Sequence, residues 1–277
     1  MKRILTLVLV LAMVLSVAAC FASCGGGIDP KEDWKRIEER GYFTCGVTPY
    51  PPMNFKDDKG EWTGFDTEFA IAVAKELGVE AKFQEIEWGS KYTELNSGKI
   101  DFIWNGFTYG DEDGVSRTEY VDFTHSYFKN TQCVVVKAAD LAKYTTKESL
   151  KGKTAAVEGG SSGEGEAKAI TDEAKVVGFD TQALALNDLA SGAAVFAVVD
   201  KHIADAMVGK NDYANLAVVE TITFEPEVYA IGARKGSDMT AKVNAAIEKL
   251  SENGTLAALA EKYGKEGNLI PNIGKGE

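Results

Sequence analysis

The sequence predicts an α/β protein, and three of its features lead to that fold class. Short apolar runs of the kind found in strands alternate with segments whose apolar residues recur at helical spacing. Such alternation is typical of mostly parallel sheets covered by helices. The chain has 277 residues, a length that suits about two domains. Loops rich in glycine or proline follow several strands, and open α/β sheets bind ligands at such strand ends.

Seven segments are predicted to be strands because each is short, apolar and rich in β-branched or aromatic residues. They span residues 42–47, 81–88, 100–104, 132–137, 154–157, 195–199 and 228–233. The clearest helix has apolar residues at helical spacing over 70–77, with Asp66 expected to cap it and Gly78 to end it. Residues 243–250 repeat that spacing, and 256–263 predict a further short helix.

The N-terminus predicts export from the cytoplasm. Lys2 and Arg3 precede an apolar run over residues 4–19, which is the pattern of a signal peptide. The run is shorter than the ~20 residues that a transmembrane helix needs, so it does not predict a permanent span. Val17-Ala18-Ala19-Cys20 resembles the lipobox of bacterial lipoproteins, in which the cysteine is lipidated and becomes the new N-terminus.

We therefore predict a lipoprotein signal peptide over 1–19, lipidation of Cys20 and a flexible tether over 20–33. The protein is then extracytoplasmic and anchored to the cell membrane by acyl chains such as palmitate, with its body in water. Two alternatives stand beside this interpretation. One is an ordinary signal peptide with a chance cysteine, and the other is lipidation at Cys24, which Phe21 fits less well.

Composition excludes some classes of partner. The formal net charge is −12, and loss of Lys2 and Arg3 with the signal peptide makes the body more acidic still. Nucleic-acid binding needs a basic face, so no nucleic-acid partner is predicted. The hydrophobic content of 45% and the charged content of 26% are those of a soluble globular body.

Cysteine and histidine usage predicts neither a zinc site nor a redox motif. Cys45 and Cys133 lie in separate strand-like runs and form no CxxC pair. A disulfide between them is one reading, and two buried free thiols are the reading we adopt. His125 and His202 stand alone in the sequence, so no metal is predicted.

Three irregular loops are candidate walls of a binding site, because each follows a predicted strand. Their glycines and prolines are Pro49, Pro51 and Pro52, then Gly106, Gly110 and Gly114, then Gly159, Gly160, Gly163 and Gly165. No Walker-type lysine pattern accompanies the last of these loops, so phosphate binding is not predicted.

A series of short motifs carries a family resemblance. Residues 50–55 (YPPMNF), 64–66 (GFD), 97–101 (SGKID) and 106–108 (GFT) come first; Arg117, 121–123 (VDF), 150–153 (LKGK) and 234–236 (RKG) follow. Their order and spacing cover nearly the whole mature chain. Together they resemble the polar amino-acid family, family 3, of bacterial solute-binding proteins that serve ABC importers.

The resemblance implies a two-lobed periplasmic-binding-protein-like fold (type II), with two mixed sheets flanked by helices and joined by two hinge strands. Lobe 1 would comprise residues 34–130 and 228–277, and lobe 2 residues 131–227. It also implies a monomer without a cofactor that holds an amino acid between its lobes and delivers it to an ABC permease in the membrane.

Two charged residues are expected to hold the backbone groups of the ligand. Arg117 resembles the family arginine that binds the carboxylate, a task suited to its planar donors. The alternative is a surface arginine paired with a neighbouring acid, and the loop before it is longer than is usual in the family. Asp200 resembles the aspartate that receives the ammonium group, although it could equally cap the following helix.

Further ligand contacts are expected from backbone and hydroxyl groups and from aromatic rings. The loops at Gly106 and Thr108, and at Ser161 and Ser162, are expected to complete the carboxylate site. Tyr50 and Phe65 match family positions whose rings enclose the ligand side chain. Trp104 is expected at the mouth of the cleft, and Trp88 is interpreted as structural.

Side-chain preference is predicted from a few positions. Glu158 lies where the family faces the ligand side chain, so it either attracts a cation or caps a helix. Asn105 is a candidate hydrogen-bonding partner for a polar group. Val47 and Thr48 stand where relatives that take basic amino acids carry an aspartate. The hypothesis is a polar or basic L-amino acid.

Two other functions share this architecture. The first is a dehydratase of cyclic amino-acid precursors, for which Glu158 is the available general acid. The second is a sensory module that reports its ligand to a membrane receptor. The lipobox and tether suit transport better than a dehydratase, and a sensory module would need a separate partner in order to signal.

Overall fold

The computed structural model describes residues 28–112 and 115–275. The predicted signal peptide, Cys20 and most of the predicted tether lie outside the described residues, as does Gly114. The helices are α1 Asp33–Arg40, α2 Phe65–Leu77, α3 Lys91–Asn96, α4 Ser162–Ile170, α5 Gln182–Ser191, α6 Lys201–Met207, α7 Met239–Glu252 and α8 Thr255–Lys262.

The strands are numbered in chain order. They are β1 Tyr42–Val47, β2 Phe55–Lys56, β3 Trp62–Thr63, β4 Glu80–Glu85, β5 Phe102–Ile103, β6 Thr108–Tyr109, β7 Asp111–Glu112, β8 Val115–Ser116, β9 Val121–Phe123, β10 Phe128–Asn130, β11 Gln132–Lys137, β12 Ala155–Glu158, β13 Val176–Phe179, β14 Phe196–Asp200, β15 Leu216–Val218, β16 Glu227–Tyr229 and β17 Gly232–Arg234.

Two five-stranded sheets form the cores of two lobes. The first has the order β4-β1-β5-β17-β9, and helices α2, α7 and α8 pack together on it. The second has the order β13-β12-β14-β11-β15, with α4 and α5 against its central strands. The predicted α/β class and the two mixed sheets flanked by helices are confirmed.

A three-stranded antiparallel sheet, β10-β16-β6, lies between the lobes. Strand β10 leads from the first lobe into β11 of the second, and β16 leads back towards β17. In the register of this pair Asn130 is opposite Glu227 and Phe128 is opposite Tyr229. These two strands are therefore the covalent crossings between the lobes.

The expectation of mostly parallel sheets is wrong. β1 pairs in parallel with β4 and β5, but β17 is antiparallel to β5 and β9. In the second lobe β11 is likewise antiparallel to both of its neighbours. Strands β11 and β17 come straight from the hinge strands rather than from a crossover helix, so they run against their neighbours.

Helix α2 ends as predicted but does not begin as predicted. Gly78 ends it with φ 77°, whereas Gly64 is its N-cap and no side chain caps it. Asp66 lies inside the first turn, where its carboxylate accepts hydrogen bonds from the Gly106 N–H and the Tyr127 hydroxyl, both at 2.7 Å. Burial raises the pKa of Asp66 to about 7. Its role is to fix the loop at Gly106.

Phe65 and Trp104 belong to the core of the first lobe. Phe65 is fully buried, with its ring centroid 4.8 Å from that of Phe128. The ring of Trp104 packs edge-on against Phe69 at 5.1 Å. The expectations that Phe65 encloses a ligand and that Trp104 lies at the mouth of the cleft are wrong, because both rings face the packing of α2 on the sheet.

The cysteine prediction is confirmed, since Cys45 and Cys133 are free and buried, and burial raises the pKa of both thiols. Within the described ranges no group of three or more histidine, cysteine or acidic side chains could hold a metal ion. None of the helices in this part of the chain is long and apolar enough to span a membrane.

A buried arginine joins the separate segments of the first lobe. Arg234, at the end of β17, donates to both Asp33 carboxylate oxygens at 3.1 and 3.0 Å and to Asp101 at 3.0 Å. Its remaining guanidinium nitrogen donates to the Leu95 and Ile100 carbonyls. Every guanidinium nitrogen is thus bonded, which is what makes a buried charge tolerable.

We expect Arg234→Met to lower the free energy of unfolding by about 3–5 kcal/mol, because it leaves Asp33 and Asp101 buried without a shared cation. Urea unfolding measures the loss. Arg36→Met is the matched control, since Arg36 pairs with the same Asp33 from a more exposed position and should cost about 1 kcal/mol or less. Equal losses in the two variants would contradict this account of the lobe.

Candidate functional site

A small cavity lies between the lobes, at the ends of strands from both sheets. Eight of the ten residues predicted to bind the ligand line it. The lining residues are Trp88, Asn105, Gly106, Thr108 and Arg117 from one side and Glu158, Ser161, Ser162, Gln182 and Asp200 from the other. Polar groups dominate this lining, so the cavity is suited to a small polar molecule.

Arg117 is held in the wall of the cavity from two directions. Its Nη1 donates to the Thr108 carbonyl at 2.8 Å, and its guanidinium lies 5.0 Å from the Phe107 ring centroid. The lengthened loop before it forms the β7–β8 hairpin, which the Arg117 N–H closes by donating to the Gly110 carbonyl at 2.9 Å. The longer loop therefore projects as a hairpin and leaves Arg117 at the cavity.

Asp200 faces Arg117 from the second lobe, at the end of β14. Its carboxylate accepts hydrogen bonds from Gln132 at 2.8 Å, from the Tyr229 hydroxyl at 3.0 Å, and from the Asn130 and Gln182 amides. Its side chain makes no capping bond to α6, so the alternative of a helix cap is wrong. The carboxylate is instead fixed by neutral donors.

Glu158 is a buried acid that reaches across the cleft. Its carboxylate accepts from the Thr48 hydroxyl of the first lobe at 3.3 Å. Burial, and then repulsion from Asp200, raise the pKa of Glu158 to about 8, against the opposing effects of Thr48, Lys91 and Arg117. Glu158 does not cap α4, because Ser161 does so by accepting from the Glu164 N–H at 3.2 Å.

The loop at 105–106 lines the cavity, but the Asn105 side chain and the Gly106 N–H are engaged within the first lobe. The Asn105 amide nitrogen donates to the Thr48 carbonyl and to Asn54, and its oxygen accepts from the Thr48 N–H and hydroxyl. The Gly106 N–H donates to Asp66. The Asn105 amide and the Gly106 N–H therefore position the ends of β1 and β5, and ligand contact by the other groups of these two residues stays a prediction.

The two serines differ in what they can offer. The Ser161 Oγ accepts a hydrogen bond from the Glu164 N–H as the cap of α4, which leaves its O–H able to donate. The Ser162 Oγ is buried, lines the cavity, and has no hydrogen-bond partner in the described part of the chain. A buried hydroxyl without a partner is costly, so the Ser162 Oγ is suited to bonding a ligand.

Tyr50 is buried beside the cavity instead of lining it. Its hydroxyl lies 2.6 Å from that of Tyr229, and Tyr229 donates its single proton to Asp200, so Tyr50 is the donor to Tyr229. Its ring covers Gly106, where φ is +55° and an added Cβ would come 2.5 Å from the ring. The structure thus gives Tyr50 a supporting place behind Gly106, and its contact with a ligand side chain stays a prediction.

Sequence reasoning missed two lining residues. Trp88, interpreted as purely structural, packs edge-on against Phe107 at 5.7 Å and borders the cavity. Gln182 begins α5 and exchanges hydrogen bonds with Asp200, accepting from its N–H at 2.8 Å and donating to its carboxylate. Gln182 carries no motif, so only the structure could find it.

The lobes also touch at the rim of the cavity. Lys91 of α3 is buried and donates to the Gly160 carbonyl of the opposite lobe at 2.9 Å, with Trp88 and Tyr92 rings beside its ammonium. Together with the Thr48 to Glu158 bond, this contact shows the cleft in a closed state.

Comparison with known proteins agrees with this geometry. Residues 43–266 match the bacterial extracellular solute-binding proteins, family 3. The L-cystine-binding protein TcyJ of Escherichia coli (strain K12) is 32% identical over 230 residues, covering 82% of this chain and 84% of that protein.

Solved structures give the same result. An ancestral arginine-binding protein bound to arginine is 35% identical with a TM-score of 0.74, covering 81% of this chain and 98% of its own. A substrate-binding protein of an ABC uptake transporter from Streptococcus pneumoniae, with bound histidine, is 29% identical with a TM-score of 0.75, covering 84% and 96%. This chain therefore belongs to family 3 of the bacterial extracellular solute-binding proteins, and it is a binding protein rather than an enzyme.

Proposed function

We propose that this chain captures a polar or basic L-amino acid between its lobes and delivers it to the permease of an ABC importer. The observation that carries the proposal is the pairing of Arg117 and Asp200 across one small buried cavity. An α-amino acid presents a carboxylate and an ammonium group on the same carbon, so a general receptor needs one fixed cation and one fixed anion. Arginine is suited to the carboxylate through its two parallel donors.

Closure of the hinge follows from the placement of these charges. Arg117 lies on the first lobe and Asp200 on the second, so a ligand satisfies both only when the lobes meet. A ligand shifts a conformational equilibrium by the difference in its affinity for the two states. The crossings at β10 and β16 are the proposed hinge, which assigns residues 34–130 and 228–277 to lobe 1 and 131–227 to lobe 2.

The charges around the cavity favour a basic side chain. Once Arg117 and Asp200 are matched by the ligand backbone, Glu158 remains as a buried acid in the lining. A cationic side chain would pair with it, whereas an apolar one would leave it enclosed without a partner. The relatives named for arginine and histidine support this proposal, and the one named for L-cystine supports the broader polar class.

We expect Arg117→Ala to reduce affinity for the preferred amino acid by about 2–5 kcal/mol, because the carboxylate loses its buried partner. A thermal-shift panel of the common L-amino acids and L-cystine, followed by calorimetry on protein stripped of co-purified ligand, measures this. Arg36→Ala, a surface arginine on α1, should bind as the unaltered protein does. Stabilisation only by large apolar amino acids, or full affinity in Arg117→Ala, would contradict the proposal.

We expect affinity for L-arginine to rise with pH as it passes through the pKa of Glu158 of about 8. Below that pH the free protein holds a proton on Glu158, which a cationic side chain must displace; above it the carboxylate is already ionised. Glu158→Gln should weaken L-arginine roughly tenfold or more and flatten this part of the profile. Calorimetry between about pH 6 and 9 measures both effects, and an unchanged profile rejects the role of Glu158.

Extracellular solute-binding proteins work outside the cytoplasm, and this chain shares that location. We further propose that residues 1–19 are a lipoprotein signal peptide, that Cys20 carries the lipid, and that the mature chain is a tethered monomer. The support is the lipobox-like sequence before Cys20 and the glycine-rich stretch after it. A tether of this kind keeps the body near its permease while leaving the hinge free to move.

Cys20→Ser should abolish labelling by radioactive palmitate and release the protein from the membrane fraction, because the thiol is the attachment point. Cys24→Ser, four positions along the same tether, is the control and should remain labelled. Labelling lost only in Cys24→Ser would move the anchor to that residue, and labelling lost in neither would reject lipidation in this segment.

A further inference from the structure

Glu227 is an acid beside the proposed ammonium site that none of the family motifs in the sequence includes. It begins hinge strand β16, directly opposite Asn130 of the other hinge strand. The residue is partly exposed, yet its carboxylate is enclosed well enough that desolvation is the main cause raising its pKa, to about 7. Enclosing an acid costs free energy, so an enclosed carboxylate at the hinge and next to the ligand cavity is a candidate functional group.

Two amides hold Glu227 and Asp200 side by side. The Gln132 Nε2 donates to Asp200 Oδ1 and to Glu227 Oε1, at 2.8 Å each. The Asn130 Nδ2 also donates to the same two oxygens. Since each pair of bonds begins at a single nitrogen atom, the carboxylates lie within about two hydrogen-bond lengths of each other.

The hydrogen-bond donors to the pair are neutral. They are the amides of Asn130, Gln132 and Gln182 and the Tyr229 hydroxyl. The charged and titratable groups that act on Glu227 are Asp200, which raises its pKa, and Arg117, which lowers it; Tyr50 and Tyr229 are the nearby phenols. Two adjacent carboxylates repel, and an arriving cation removes that repulsion.

We propose that Glu227 is the second acid of the ammonium site, forming with Asp200 a carboxylate pair that recognises the positive charge of the ligand's α-amino group. This inference rests on the proposed function. Asp200 lies in the cavity wall and contacts the ammonium, whereas Glu227 acts from behind it through charge and through the shared amides. Glu227 belongs to hinge strand β16 and Asp200 to strand β14 of the second lobe. A ligand charge that attracts both carboxylates therefore favours the arrangement of hinge and second lobe in which they are adjacent.

A dependence on pH follows with a defined sign. Below about pH 7 Glu227 holds a proton, and the pair carries less negative charge with which to attract the ammonium. As pH rises through that value the proton leaves, so affinity for any α-amino acid should increase, including one with a neutral side chain. The use of a neutral side chain separates this effect from that of Glu158.

The test compares amino acids with analogues that lack the ammonium. Calorimetry at pH 7 uses L-arginine, L-glutamine and the α-hydroxy acid analogue of each. Glu227→Gln should weaken both amino acids about tenfold, or 1.4 kcal/mol, and leave the α-hydroxy analogues unchanged. Glu225→Gln, an exposed acid two residues earlier, should alter none of the four, and Glu227→Asp should keep most of the affinity because the charge remains.

The results for the Glu227 variants test the inference about Glu227, and binding to the unaltered protein tests the proposed function. Equal weakening of amino acids and hydroxy acids by Glu227→Gln would show a structural role and overturn the inference, as would no weakening at all. Failure of these four probes and of every polar amino acid in the thermal-shift panel to bind the unaltered protein would reject the proposed function itself. The pH profile of the unaltered protein with L-glutamine needs no variant, and a flat profile between about pH 6 and 8 would also overturn the inference.

Discussion

The closed site depends on the hydrogen bonds that converge on Asp200. Gln132 and Gln182 reach it from the second lobe, Asn130 and Tyr229 from the two hinge strands. Tyr229 in turn accepts from Tyr50 of the first lobe. The Asp200 carboxylate is thus bonded directly to lobe 2 and to the hinge strands. It is linked to Tyr50 of lobe 1 through the Tyr229 hydroxyl. Networks of this kind hold a charged group rigidly while using only neutral donors, which leaves the carboxylate's charge for a ligand.

Closure brings groups together that would be costly to bury alone. Glu158 gains the Thr48 hydroxyl and Lys91 gains the Gly160 carbonyl only because the lobes meet. The raised pKa of Glu158 shows that these contacts do not fully replace water around its carboxylate. A ligand that supplies the missing charge therefore favours the closed state over the open one. Ligand selectivity and conformational change have the same electrostatic origin in this account.

The sequence predicted the features that depend on local pattern. Helical spacing predicted the apolar face of α2, and short apolar runs predicted the buried strands β1, β12 and β14. The family resemblance pointed to Arg117 and Asp200, which both line the cavity. The sequence did not predict the direction in which a side chain points. Phe65 lies within a family motif, yet at the start of α2 its ring points into the core of the first lobe. Tyr50 bonds the Tyr229 hydroxyl beside the cavity, a contact that no pattern in the sequence indicates. Gln182 and Glu227 were beyond prediction, because their partners are distant in sequence and no motif marks them.

A crystal structure of the protein with its co-purified amino acid tests the central claim most directly. The account predicts the ligand α-carboxylate on the Arg117 guanidinium, the ammonium on Asp200 with Glu227 behind it, and the side chain directed to Glu158. A ligand bound in the reverse orientation, or held by one lobe alone, would contradict it.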